Sequence, residues 1–149
     1  MRITFVLAFA GLMLAIALVL AWVLGITLFF PHGDLAAYIT DRRNFIRAHI
    51  DYLMMAQFLF IFGLLFRQYA VNPPRWVIAA MCYGAFFNPL GFLKLALRPK
   101  PPVDTLPAPV EPYFPIPAAV SFTMATAGFL IAAALVVHAA WKSRSSAAA

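Results

Sequence analysis

Four long apolar stretches make up most of the chain, and shorter polar segments separate them. They cover residues 3–30, 45–66, 76–97 and 118–141. Crossing the roughly 30 Å hydrocarbon core of a bilayer takes about 20 apolar residues at about 1.5 Å per residue, and each stretch meets that requirement. The pattern therefore predicts an all-α protein, an integral membrane four-helix bundle that forms a single domain over residues 1–149.

Composition excludes an ordinary soluble domain, since 64% of the 149 residues are hydrophobic and only 11% are charged. A single basic residue, Arg2, precedes the first stretch, as it would in a secretory signal. The apolar run is 28 residues long, whereas the apolar region of a signal peptide has roughly 7 to 15 residues. We therefore expect an uncleaved first transmembrane helix.

The net charge of +6 does not indicate a nucleic acid partner, because the basic residues are spread over the helix ends and form no patch. Four spans place both termini on one side of the membrane. Basic residues are divided almost evenly between the two sides, whereas the acidic residues all lie opposite the termini: Asp34, Asp41, Asp51, Asp104 and Glu111. We expect the charges to meet membrane lipid headgroups and both termini to be cytoplasmic in a bacterial inner membrane.

The connections between the stretches differ in stiffness. Asn72, Pro73 and Pro74 stop the second helix and favour a tight antiparallel return. Residues 98–117 contain eight prolines, which exclude a helix and predict a stiff strap or lid across one end of the bundle. In the first connection, either Thr40 or Asp41 can cap the incoming second helix.

The triplet Arg47-Ala48-His49 carries ionisable groups into the entrance of the second stretch. Such groups are costly inside a membrane and by default mark a functional site. At about 100° per residue, His49 shares a helical face with five residues: Tyr52, Leu53, Ala56, Phe60 and Gly63. The small members of that face would leave room for a haem, with His49 on the iron, Tyr52 and Ala56 lining the cofactor, and Arg47 as partner for a propionate.

A structural role for His49 is the alternative, because a histidine near a helix end can hydrogen-bond a neighbouring carbonyl or face headgroups. His138 is typical of an interfacial residue, and His32 lies in a loop. Without a second histidine at matching depth, a bis-histidine electron-transfer cytochrome is disfavoured. The lone Cys82 excludes an intramolecular disulfide and a cysteine metal cluster.

Polar residues on the third stretch form a second candidate site. Pro89 removes one backbone hydrogen bond and predicts a kink, where Asn88 can line a small polar pocket with Tyr83 adding a hydroxyl from an earlier turn. The alternative is that Asn88 only satisfies the broken backbone. On the fourth stretch a seam of small residues predicts close helix packing, within or between subunits: Ser121, Ala125, Gly128 and Ala132.

The arrangement as a whole resembles the bacterial styrene oxide isomerases. The resemblance rests on the Arg47-Ala48-His49 triplet, the following Met54-Met55, Asn88 and Gly91 on the third stretch, and the proline-rich third connection. A related membrane family, the hydroxylaminobenzene mutases, has a similar histidine-bearing helix. The resemblance covers about two thirds of the chain, from the second stretch to the end, and the triplet is its sharpest motif.

The resemblance implies a homotrimeric helical bundle with haem b at the subunit interfaces and His49 as axial ligand. It implies that ferric iron acts as a Lewis acid on an epoxide, in a Meinwald-type rearrangement to a carbonyl compound, while an apolar cavity excludes water. The substrate would be a small apolar molecule. Arg47 lies on the face opposite His49, so the resemblance suggests that it serves the haem of a neighbouring subunit.

The chain departs from the isomerases at the residues that orient the substrate. The family has an Asn-Gly pair six and seven residues after the histidine, where this chain has Met55 and Ala56. A tyrosine on the family's third helix corresponds to the region of Phe92 and Leu93, which have no hydroxyl. Asn88 and Tyr83 are therefore the predicted catalytic residues, substituting from other turns of the helix.

Three function classes fit these observations. The first is a haem-dependent membrane isomerase or mutase, and the second is a haem-binding sensor, carrier or redox protein. The third is a cofactor-free transporter or assembly subunit. A proton-coupled exporter is disfavoured, because such a protein usually carries an acidic residue in mid-membrane and Asp51 lies only near the entrance of the second stretch.

Overall fold

The computed structural model describes residues 1–99 and 114–147, and the fold in these ranges is entirely helical. In chain order the helices are α1 (Arg2–Phe29), α2 (Asp34–Ala37), α3 (Arg42–Gln68), α4 (Arg75–Leu97) and α5 (Ile116–Ala147). Most of the predicted proline-rich strap falls on residues 100–113 and lies outside the described residues.

The four long helices are each long and apolar enough to cross a membrane. This confirms the predicted all-α four-helix bundle and makes the chain an integral membrane protein. Two of the helices extend beyond the apolar stretches that predicted them. Helix α3 begins at Arg42 because Asp41 caps it, and α5 continues through Trp141 and Lys142 to Ala147, since helix hydrogen bonds do not stop where hydrophobic residues do.

Consecutive long helices pack against each other along the chain. Helix α1 lies on α3, α3 on α4, and α4 on α5, with smaller contacts between α1 and α4 and between α3 and α5. Within the described residues, α1 and α5 do not touch. Helices α3 and α4 therefore form the centre of the bundle, and α1 and α5 cover it from opposite sides.

Helices α4 and α5 approach each other closely at two glycines. A Cβ atom placed on Gly84 would lie 2.6 Å from Ala125 Cβ, and one on Gly128 would lie 2.7 Å from the Met81 backbone nitrogen. The predicted small-residue seam is thus confirmed as an interface within the subunit. Without a hydrophobic driving force between helices in lipid, such close backbone packing is a main source of stability.

Loop contacts fix the ends of the central helices. Asp41 accepts a hydrogen bond from the Asn44 backbone nitrogen at 3.1 Å, which confirms it as the N-cap of α3. The Thr40 hydroxyl instead donates to the carbonyl of Ala96 at 2.9 Å. The entrance of α3 is therefore tied to the end of α4. Pro73 and Pro74 are followed at once by α4, in agreement with the predicted tight return.

Helix α3 ends in a backbone turn that usually requires glycine. Ala70 has a φ of 52°, in the left-handed region that costs an L-residue roughly 1–2 kcal/mol. The turn lets the Val71 backbone nitrogen donate to the Phe66 carbonyl at 2.9 Å. This bond satisfies one of the open carbonyls at the helix end and reverses the chain towards α4.

Candidate functional site

His49 lies between α3 and α1, deeper in the bundle than its predicted place at the helix entrance. It is the eighth residue of α3, which starts at Arg42. Its Nδ1 atom is 2.9 Å from the backbone carbonyl oxygen of Ala17. Ala17 lies near the middle of α1, fifteen residues after Arg2 and twelve before Phe29. The imidazole therefore lies far from both ends of α1, at the level of its apolar middle part.

The hydrogen bond to Ala17 determines which ring nitrogen of His49 is free. A carbonyl oxygen only accepts, so Nδ1 must carry the proton and, in the neutral ring, Nε2 keeps its lone pair. Every buried side-chain nitrogen or oxygen of the described residues has a partner, and Nε2 has none there. It follows that Nε2 is accessible at the surface of the subunit, where its lone pair is free to accept a hydrogen bond or to bind a metal ion.

The rest of the predicted haem face is closed within one subunit. Tyr52 and Ala56 are each only 1% exposed, and the Tyr52 hydroxyl donates to the carbonyl of Phe86 at 3.3 Å. The side chain of Leu7 occupies the space beside Gly63, where a Cβ would lie 2.6 Å from Leu7 Cδ2. Helices α1 and α4 therefore fill the room that the small residues were predicted to leave for a flat cofactor.

Arg47 lies on the outside of α3. Its side chain is exposed, and its Nη1 atom lies 3.5 Å from the Asn44 side-chain oxygen, one turn earlier. Such a long contact to an amide leaves most of the guanidinium's donors open for an anionic partner. Since Arg47 lies two residues from His49, the two side chains leave the helix in very different directions, as their spacing predicts.

Asn88 borders a separate cleft on the other side of the bundle. The cleft measures 370 Å³ and lies between α3, α4 and α5. Its lining is otherwise apolar except for Thr126, and consists of Met55, Phe58, Phe62, Phe122, Ala125, Thr126, Phe129 and Leu130. Asn88 is 8% exposed and forms no side-chain hydrogen bond with another described residue. The predicted alternative, in which the amide satisfies the backbone broken by Pro89, has no support in these contacts.

Tyr83 does not accompany Asn88 in this cleft. The ring is 41% exposed on the outer surface of α4 and packs against Phe87, with ring centroids 4.5 Å apart. The two predicted catalytic residues are five positions apart, so at about 100° per residue their side chains point to different sides of the helix. Tyr83 therefore faces lipid or a neighbouring molecule.

His49 and the Asn88 cleft lie on different faces of α3. The α3 residues that line the cleft are Met55, Phe58 and Phe62, and at about 100° per residue they project roughly opposite to His49. His49 instead contacts α1. A single subunit thus does not bring the candidate ligand and the candidate catalytic amide to one pocket.

Gln57 is a candidate that sequence reasoning missed. It is exposed near the middle of α3, and its amide has no hydrogen-bond partner among the described residues. Polar groups facing hydrocarbon are costly and usually face protein instead. The available signal was a single amide in the otherwise apolar run from Tyr52 to Phe66. Gln57 lies about two turns after His49 on α3, and its side chain is about 80° around the helix from that of His49.

The remaining histidines make no comparable site. His32 and His138 are both exposed, in keeping with their predicted loop and interfacial positions. Among the described residues, no group of three or more His, Cys, Asp and Glu side chains could hold a metal ion. A haem iron needs only one or two protein ligands, so His49 remains a candidate on its own.

No protein family model, curated protein or solved structure matches this chain. The resemblance to the styrene oxide isomerases therefore stays a prediction, and the function proposed below is supported by the geometry of His49.

Proposed function

We propose that this protein is a haem-dependent membrane isomerase that binds haem b through His49 and acts on a small apolar molecule. The observation that carries the proposal is the orientation of the imidazole. Nδ1 donates to the Ala17 carbonyl at 2.9 Å, which leaves Nε2 accessible as a ligand. Metal-ligating histidines commonly donate their second nitrogen to a carbonyl or carboxylate, because this fixes the ring and makes the ligating nitrogen more basic.

The residues around His49 fit one side of a haem site. A bound ferric haem would supply a Lewis acid for an epoxide-to-carbonyl rearrangement or a related mutase reaction. The Ala17 carbonyl holds the imidazole in one tautomer and one direction, and the apolar faces of α1 and α3 exclude water. Arg47, exposed on α3, is a candidate to pair with a propionate.

The proposed haem site lies between subunits. Within one subunit, the face that extends from His49 towards Gly63 is filled by Leu7 of α1, so a cofactor on Nε2 must lie outside the bundle. The exposed amide of Gln57 supports a protein neighbour on that side of α3, because lipid offers it no partner. A homo-oligomer, a trimer by the family resemblance, would provide the second wall.

Substrate orientation by Asn88 or Tyr83 then also requires a neighbouring subunit. Neither residue shares a pocket with His49 in one subunit, as their faces on the bundle differ. Cyclic oligomers join two different surfaces of the same chain, so the α1–α3 side of one subunit can meet the α4 or α5 side of the next. In this arrangement one of the two, Asn88 or Tyr83, contacts the substrate, and His49 of the neighbouring subunit holds the cofactor.

The first test is haem binding by the protein purified in mild detergent. We expect a Soret band and near-stoichiometric haem in a pyridine-haem assay. In His49→Asn the amide nitrogen can still donate to the Ala17 carbonyl but Nε2 is lost, so the variant should fold and remain colourless. His138→Ala, which removes an exposed histidine, is the matched control. A colourless wild type after haem is supplied, or unchanged haem in His49→Asn, refutes the proposal.

The second test asks whether catalysis uses two subunits. We expect His49→Asn and Asn88→Leu to be inactive on aryl epoxides when each is expressed alone. Co-expression should restore part of the activity if one intact site forms from two chains. Inactive mixtures of correctly assembled oligomers would contradict a site shared by His49 and Asn88.

A non-enzymatic haem protein, with a sensor, carrier or redox role, is the second candidate. It is favoured by the separation of His49 from Asn88 and Tyr83 in the subunit. Three results would together favour a non-enzymatic haem protein over the isomerase. These are haem bound through His49, no turnover of epoxides or hydroxylamines, and a Soret band unchanged in Asn88→Leu. A colourless protein would instead leave a cofactor-free transporter or assembly subunit.

We also propose that both termini are cytoplasmic, in a bacterial inner membrane. Four membrane-crossing helices would place the two termini on the same side, and Asp34 and Asp41, between α1 and α3, on the other. Fusion of green fluorescent protein to the C-terminus should give a fluorescent product, whereas an alkaline phosphatase fusion at the same point should be inactive. The reverse result would invert the orientation.

A further inference from the structure

We propose that the cleft between α3, α4 and α5 is a binding site for a small neutral aromatic molecule with one hydroxyl or carbonyl oxygen, which hydrogen-bonds to the side-chain amide of Asn88. The site is defined by Asn88 and the eight other residues that line the cleft. His49 of the same subunit does not line the cleft, so the ligand proposed here binds without haem.

The unpaired amide of Asn88 is the first argument. The residue is 92% buried, since 8% of its surface is exposed, yet its amide has no hydrogen-bond partner among the described residues. No fully buried side-chain nitrogen or oxygen there lacks a partner, so the accessible part of Asn88 includes the amide. Because Asn88 lines the cleft, the amide is open to a molecule within it.

The depth of Asn88 excludes lipid headgroups as partners for its amide. Helix α4 runs from Arg75 to Leu97, and Asn88 lies two residues from its midpoint. At about 1.5 Å per residue, the nearer end of the helix is more than 13 Å away, beyond the reach of headgroups. A lipid acyl chain would fill the cleft and leave the amide unpaired, which costs free energy in hydrocarbon. A ligand with its own polar atom avoids that cost.

The lining of the cleft defines the rest of the ligand. All nine lining residues are uncharged, and four are phenylalanines. The rings of Phe58 and Phe62 each lie 5.7 Å from that of Phe129 between centroids, a spacing at which aromatic rings attract one another and can accept another ring. A flat, neutral, aromatic body fits this wall, whereas a carboxylate or an ammonium would find no counter-charge.

The volume of the cleft sets the size of the ligand. At 370 Å³, it is more than twice the engineered cavity of about 150 Å³ that binds benzene in another protein. It lies within the range of about 300–1,000 Å³ that is usual for small-molecule pockets. One substituted ring or two fused rings are therefore expected, with the oxygen at the Asn88 end.

The probe for the test is 1-naphthol, and naphthalene is the matched molecule without the oxygen. Equilibrium dialysis would compare phosphatidylcholine nanodiscs with and without the full-length protein, since partition into lipid does not saturate and binding to one site does. We expect saturable 1-naphthol binding near one per chain. The anion 2-naphthoate should show no saturable binding.

Asn88→Leu tests the hydrogen bond. Leucine has nearly the same size and removes the amide, so 1-naphthol should bind about 5- to 10-fold more weakly, while naphthalene binding should be unchanged or tighter. Thr123→Val, on the exposed side of α5 and outside the cleft, should leave both molecules unaffected. An affinity for 1-naphthol in Asn88→Leu within twofold of the wild type would overturn the proposal.

Thr126→Phe tests the cleft independently of Asn88. Thr126 is exposed at the rim, so a larger side chain there can fill the cleft without disturbing the core, and binding of both 1-naphthol and naphthalene should be lost. Unchanged binding in this variant, or equal uptake by empty and protein-containing nanodiscs, would also overturn the proposal. His49→Asn should bind 1-naphthol as the wild type does, which separates this result from that of the haem proposal.

Discussion

Substituting Gly84 by alanine should loosen the bundle more than the same substitution at any other glycine of the described residues. The new Cβ would lie 2.6 Å from Ala125 Cβ, about 0.8 Å short of the 3.4 Å at which ordinary contact begins, and it would also meet the Ala125 backbone. Backbone atoms cannot rotate away as a side chain can. Helices α4 and α5 must therefore move apart.

The cost of that movement follows from the range of dispersion forces. A gap of about 0.5–1 Å forfeits a quarter to a half of the attraction between facing atoms, and in lipid this attraction is a main force that holds helices together. Overpacking substitutions cost about 1–3 kcal/mol, and we expect Gly84→Ala at the upper end. At about 2–4 °C per kcal/mol for a chain of this size, the unfolding midpoint should fall by several degrees.

Cys82 provides the assay, because it is the only cysteine in the chain and is 7% exposed on α4. A fluorogenic maleimide added during heating in mild detergent reacts when the thiol becomes accessible, and circular dichroism separates local exposure from loss of helix. Gly91→Ala is the matched control, since nothing lies within 4 Å of the added Cβ and alanine favours a helix by about 0.5–1 kcal/mol. A midpoint for Gly84→Ala at or above that of Gly91→Ala would refute the reasoning.

Three further substitutions should give distinct results in the same assay. Asp41→Ala removes the side chain that caps α3 through Asn44, so we expect the free energy of unfolding to fall by about 1 kcal/mol. Asp41→Asn should lose less. Equal stability of Asp41→Ala and the wild type would contradict the cap. Tyr52→Phe deletes an interhelical hydrogen bond and should lower the free energy of unfolding by about 0.5–1.5 kcal/mol. Its control, Tyr83→Phe, removes the hydroxyl of an exposed residue and should leave stability unchanged. Equal losses of stability in the two variants would show that the Tyr52 hydrogen bond contributes nothing. Ala70→Gly removes the steric cost of the positive φ of 52° and should raise the free energy of unfolding by about 1 kcal/mol. An unchanged unfolding midpoint would contradict this prediction.

The number, position and approximate length of the spans are determined by the sequence. They depend on runs of apolar residues long enough to cross a bilayer, and run length is a local property. The signals that start and stop helices are local too. The turn at Asn72-Pro73-Pro74 was therefore predicted correctly, and a cap at Thr40 or Asp41 was predicted, of which the structure selects Asp41. The small-residue seam on α5 was visible for the same reason, although the sequence left open whether it packs within or between subunits.

Only the tertiary structure decided which side of each helix meets protein. In a membrane both the packed and the lipid-facing sides are apolar, so hydrophobic pattern does not distinguish them. The rotation of the helices against one another directs His49 Nδ1 to Ala17 and frees Nε2. It also fills the space beside Gly63 with Leu7, turns Tyr83 outward, and places Asn88 in a cleft on another side of the bundle. These outcomes depend on contacts between residues distant in the chain, which no local pattern contains.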